Sequence, residues 1–140
     1  MLELLVLLRS AQLFCHSAHN LCARTPFHQD HDFFGDSYSA FEDAYDSIAE
    51  RIIGLYGEDS MELNRIVAEV AEKLQDCPST GVKENKAFYE CQLKLEQELC
   101  SLAESICKNP KASQGVIQTV GTLCEQSEVR IYKIKQRIKT

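Results

Sequence analysis

From Phe34 to Leu55 apolar residues recur in an unbroken alternation of fours and threes: Phe34, Tyr38, Phe41, Tyr45, Ile48, Ile52 and Leu55. That period draws one apolar stripe along an α-helix and is incompatible with a strand, whose faces alternate every residue. Thr25 followed by Pro26 reads as an N-cap and a first-turn proline, and Gly54 and Gly57 flank the far end, so the helix is expected over about 26–55. Three more long stripes follow the same rule. Leu4, Leu7, Ala11, Phe14, Ala18 and Leu21 mark a first helix over about 2–23. Phe88, Cys91, Leu95, Leu99, Leu102 and Ile106 mark a third over about 82–108. Val116, Val120, Leu123, Ile131, Ile134 and Ile138 mark a fourth over about 112–138, with Ser127 interrupting. A shorter stripe, Leu63, Ile66, Val67, Val70, Ala71 and Leu74, lies between the second and third. No segment alternates with period two. The chain therefore reads as one all-α domain over 1–140: a four-helix bundle with a short extra helix in the connection between the second and third long helices. The second helix holds most of the aromatic residues and is expected at the centre of the core.

Charge narrows the function classes. The net charge is −6, and residues 1–70 carry 12 acidic against 4 basic side chains, whereas residues 71–140 carry 9 against 11. Such a surface repels nucleic acid over most of its area. Lys133, Lys135, Arg137 and Lys139 are the only DNA-binding candidates, and neutralising a helix C-terminus is the simpler role for them. The apolar run of residues 1–8 contains Glu3 where an export signal has basic residues, and it is too short to span a membrane. A soluble, cytoplasmic protein with no membrane partner is expected. The seven cysteines contain no CxxC pair. Cys15 with Cys22, and Cys100 with Cys107, stand seven apart, the spacing of buried helix positions, which suits unpaired thiols in a reducing compartment.

The chemistry is concentrated between residues 16 and 50. All four histidines, His16, His19, His28 and His31, come first, and Asp46 and Glu50 follow on one helix face, four residues apart. Imidazole with carboxylate is the ligand set of iron, zinc or manganese. His31 and Asp46 share a helix but lie fifteen residues apart, about 22 Å at the helical rise. Metal–ligand bonds are about 2 Å, so one ion cannot span that gap. His19, across the break at Arg24, Thr25 and Pro26, comes level with His31 in an antiparallel hairpin. One chain thus offers two half-sites, and a two-fold axis would join the histidines of one subunit to the carboxylates of the next. The pairs His16 with His19 and His28 with His31, each three residues apart, form a weaker alternative with Cys15 or Cys22, a structural zinc site around the turn.

His19, His31 twelve residues on, then Asp46, Glu50, Arg51 and Ile52, together resemble the Dps family, the mini-ferritins or DNA-binding proteins from starved cells. The resemblance is best over residues 10–56 and extends to the rest as helical layout. It implies a ferritin-like bundle and a self-associating hollow cage, built from two-fold dimers and expected to hold twelve subunits. It also implies an intersubunit ferroxidase centre of His19, His31, Asp46 and Glu50 that binds iron, oxidises Fe(II) with hydrogen peroxide and stores the ferric product against oxidative damage. Family members that bind DNA commonly use a basic tail before the first helix. Here helix-forming residues begin at Met1, so DNA is not an expected partner. Where the family has an Asp, four residues after the second histidine, this chain has Gly35. Asp36 is adjacent but turned about 100° around the helix. Asn20 stands where the family often has Trp. Glu125, Glu128 and Tyr132 are candidates for a cage interior. A centre within one chain, as in larger ferritins, needs Glu-x-x-His on two helices and is excluded because every histidine precedes residue 32. The alternative function is a ferritin-like scaffold or zinc-binding module without ferroxidase activity.

Overall fold

The computed structural model describes residues 1–139. Every element among them is helical: α1 (Leu2–Leu21), α2 (Phe27–Tyr56), a single 3-10 turn (Glu58–Ser60), α3 (Leu63–Lys73), α4 (Lys86–Lys108) and α5 (Gln114–Ile138). The four long helices pack as a bundle in which α1 lies against α2 and α4, and α4 lies against α5. α2 and α5 meet only sparsely, which leaves a groove of about 890 Å³ between them. None of these helices is long and apolar enough to cross a membrane.

The centre of the core is α1, not the aromatic-rich α2. α2, α3 and α4 all pack on α1. Its first turns are enclosed on every side, and Leu4, Leu5, Val6, Leu7 and Leu8 are each at most 5% exposed. This apolar run forms part of the core. A single stripe predicts one buried face; the extra burial comes from α3, which folds back over α1 and seats Ile66 and Val70. α2 contributes Phe34, Phe41, Ile48 and Ile52 to the same core, and α4 and α5 contribute Phe88, Leu99, Val120 and Ile134.

Helix starts differ from the sequence expectation, each for a local reason. Pro26 is the N-cap of α2 rather than its first residue, with extended backbone (φ −94°, ψ 94°) after a cis Thr25–Pro26 peptide. Asn85, not Thr25, holds this turn. Its side-chain amide accepts from Ala23 N–H (3.0 Å) and donates to Ala23 C=O (2.8 Å) and to Asp30 Oδ2 (2.8 Å). α4 accordingly begins at Lys86, just after that tie, instead of near residue 82. Glu62 caps α3 by accepting from the N–H groups of Asn64 and Arg65, and Ser113 caps α5 through Val116 N–H.

The cysteines divide. Cys15 and Cys22 are buried thiols, as their spacing predicts, while Cys100, Cys107 and Cys124 are half-buried. Cys77 and Cys91 form a disulfide that pins the connection after α3 to α4. Their separation of 14 residues carried no signal of pairing, because Cys77 lies in a loop whose path only the packing sets. An all-thiol chain was the ground for expecting a reducing compartment, and this pair removes that ground.

Candidate metal half-sites

The α1–α2 hairpin brings His19 and His31 face to face. Their ring centroids are 3.7 Å apart and the planes differ by 21°. His19 Nδ1 lies 2.7 Å from the His31 carbonyl oxygen, and His31 Nδ1 lies 2.8 Å from the His19 carbonyl oxygen. A carbonyl oxygen can only accept, so each Nδ1 carries the proton and donates. That fixes the tautomer and leaves both Nε2 lone pairs for a ligand, the usual way a protein orients a metal-binding imidazole. Phe27 stacks on the outer face of His31 at 5.1 Å, and Tyr38 meets His19 edge-on at 5.4 Å. The rings are thus held by packing as well as by hydrogen bonds.

Gly35 completes the enclosure. A Cβ at this position would lie 2.9 Å from His19 Nδ1 and 3.0 Å from its Cε1, too close for either ring atom. Because Nδ1 is already tied to the His31 carbonyl, the ring cannot retreat freely. Position 35 therefore does face the histidine pair, as four residues after His31 predicts, but glycine is what lets the pair close. Asp36 points elsewhere, into the groove between α2 and α5 beside Ser37 and Ala40.

Asp46 and Glu50 lie about four and five turns along α2 from His31, on its exposed surface. Neither carboxylate has a hydrogen-bond or ion-pair partner among the described residues. The neighbouring Arg51 does not neutralise them: its guanidinium turns back to the Ser47 carbonyl and hydroxyl, both at 3.1 Å. Within one chain no three His, Cys, Asp or Glu side chains among the described residues are grouped to hold a metal. His16 is exposed and stacks on Tyr38 at 4.1 Å, with 6.4 Å between its ring and that of His19. His28 is exposed against the edge of Phe27. Cys22 donates weakly to the His19 carbonyl. Cys15 is fully buried, and burial, reinforced by the Glu96 carboxylate, pushes its thiol pKa up.

Two buried carboxylates escaped the sequence reading. Glu96 accepts from Arg130 Nε (2.6 Å) and Nη2 (3.1 Å), from Ser127 Oγ (2.7 Å) and from Gln92 Nε2 (3.0 Å). Ser127 thus interrupts the α5 stripe in order to reach Glu96. Bundle cores are where within-chain metal centres are built; here a guanidinium supplies the positive charge. Asp30 accepts from Arg137, Tyr89 (2.6 Å) and Asn85. Burial opposes its ionisation, but the bonds from Arg137, Tyr89 and Asn85 and the Arg137 charge outweigh it and hold the carboxyl below its ordinary pKa. Burial, reinforced by the same carboxylate, drives the Tyr89 phenol pKa up. Arg137, one of four candidates for a basic patch, is therefore committed to an internal ion pair. Aspartate in a helix's first turn offers no such hint, since a surface dipole role explains it equally well.

Glu125, Glu128 and Tyr132 are all exposed on α5. No family model matches the chain, and no curated protein matches it.

Proposed function

We propose that the chain is a mini-ferritin of the Dps type, with a ferritin-like fold, whose subunits pair about two-fold axes and assemble into a hollow cage. His19 and His31 of one subunit and Asp46 and Glu50 of its neighbour bind Fe(II) as substrate. The observation that carries this reading is the reciprocal Nδ1–carbonyl bonding of His19 and His31, which frees both Nε2 atoms, combined with an unpaired carboxylate pair too distant to serve the same ion. Self-association is favoured by large apolar side chains left exposed on α1, α2 and α3, among them Leu13 (45%), Ile53 (42%), Leu63 (69%) and Val67 (58%).

In this reading the fixed imidazoles hold ferrous iron and the carboxylates offset the charge gained on oxidation. Glu50 would be the carboxylate that the two irons share. Two ferrous ions give one electron each to hydrogen peroxide, which takes up two protons and leaves as two waters, so no one-electron oxygen product is released. The ferric product accumulates inside the cage.

The test is anaerobic Fe(II) loading followed by peroxide, with ferric absorbance as the readout. Rapid oxidation in the wild type, lost in His31→Ala and in Asp46→Ala, is expected. Co-assembling the two inactive variants is expected to restore part of the rate, because each mixed dimer regains one intact centre. A monomeric mass in solution, or no recovery on mixing, would overturn the intersubunit site. A second reading, a ferritin-like scaffold that holds metal without oxidising iron, is favoured by Gly35, which offers no ligand at the position facing the pair. A wild type no faster than free iron would select it.

A further inference from the structure

α4 and α5 run antiparallel in a constant register. Glu96 meets Ser127, Cys107 points at the Ile117 carbonyl (3.7 Å), and between these levels Cys100 meets Cys124. The Cys100 thiol lies 3.9 Å from the Cys124 carbonyl oxygen, and the Cys124 thiol lies 3.5 Å from Glu128 Oε1. Both cysteines are half-buried, unlike Cys15 and Cys22, which the core covers. Cys107 stands at the same kind of position but faces Ile117, so it has no thiol opposite. Neighbouring packed helices carry side chains close enough for a disulfide when two cysteines stand level.

We propose that Cys100 and Cys124 are a redox-active dithiol, closed to a disulfide between α4 and α5 by a two-electron oxidant of the hydroperoxide class. Burial, the neighbouring Cys100 thiol and the Glu128 carboxylate push the Cys124 thiol up to about 12, which suits Cys124 to the second, resolving step and leaves the first attack to Cys100. The Cys100 sulfur attacks one peroxide oxygen, the O–O bond breaks, and the departing oxygen takes a proton. This leaves a sulfenic acid on Cys100. The Cys124 sulfur then attacks that sulfur; the S–S bond forms, the S–O bond breaks, and water leaves with the Cys124 proton. Two thiols and one hydroperoxide become one disulfide, one alcohol (water, for hydrogen peroxide) and one water. The pair lies on α4 and α5, away from the histidines, and needs no iron.

The experiment treats the reduced full-length protein with hydrogen peroxide in the presence of an iron chelator, then alkylates, digests with trypsin and maps linked peptides by tandem mass spectrometry. Residues 95–108 and 112–130 are expected as a linked pair lacking two hydrogens. The link should survive Cys107→Ser and vanish in Cys100→Ser. In Cys124→Ser a sulfenic acid at Cys100, trapped by dimedone, should take its place. Wild-type protein in which both thiols remain alkylatable, or a link that persists in Cys100→Ser, would overturn the proposal. The wild-type map decides even where a variant folds poorly.

Discussion

Asp30 and Glu96 on one side, and Asp46 and Glu50 on the other, are the same chemistry in opposite surroundings. The first two are fully buried and each is gripped by an arginine from α5. The second two are exposed on α2, with Arg51 turned away from them. A carboxylate inside the bundle must be matched or its desolvation penalty stands alone. A carboxylate on the surface can wait for a partner from outside the chain. The α5 arginines thus serve the fold, while the negative charge of Asp46 and Glu50 on the surface of α2 is left unmatched within the chain.

The contrast breaks most sharply at Arg130. Arg130→Met strands Glu96 in the core and is expected to lower stability by about 3–5 kcal/mol in urea denaturation. Adding Glu96→Gln to the same chain should recover much of the loss. If Arg130→Met is neutral, Glu96 is not a structural carboxylate. Arg137→Ala should cost less, about 1–3 kcal/mol, because Tyr89 and Asn85 still donate to Asp30 and Arg137 is partly solvated.

The Asp30 pair also sets a pH dependence. Its folded pKa is depressed, so its contribution to stability is fully present above the ordinary value of 3.8 and is lost as pH falls through the lower folded value. Acid unfolding followed by circular dichroism should be less steep below that point in Asp30→Asn than in the wild type.

Gly35→Ala tests the histidine pair. The added Cβ is expected to displace the His19 ring, weaken its bond to the His31 carbonyl and cost roughly 1–2 kcal/mol. Ferrous iron affinity should fall with it. Gly35→Asp brings a ligand and the same clash, so tighter iron binding there would mean that the ring relocates without loss. The smallest effect on stability is expected for Asp46→Asn with Glu50→Gln, whose urea midpoint should match the wild type while iron oxidation is lost. A shifted midpoint would place these carboxylates with Asp30 and Glu96 as parts of the fold.

Periodicity alone located all five helices, the break before α2 and the level approach of His19 to His31, because a helical hairpin ties sequence spacing directly to position in space. Tyr38, seven residues after His31 on the same face, could have been assigned to that cluster by the same rule. The separation of Asp46 and Glu50 from the histidines was equally legible, since helical rise permits no other distance along α2. Tertiary packing decided what periodicity leaves open. It made α1 the central helix by laying α3 across it, joined Cys77 to Cys91, and carried Arg137 back to Asp30 across 107 residues. It also turned Gly35 from an absent ligand into the space that His19 requires. A stripe along one helix says which face is buried, but not which other helices, or which charges, will cover it.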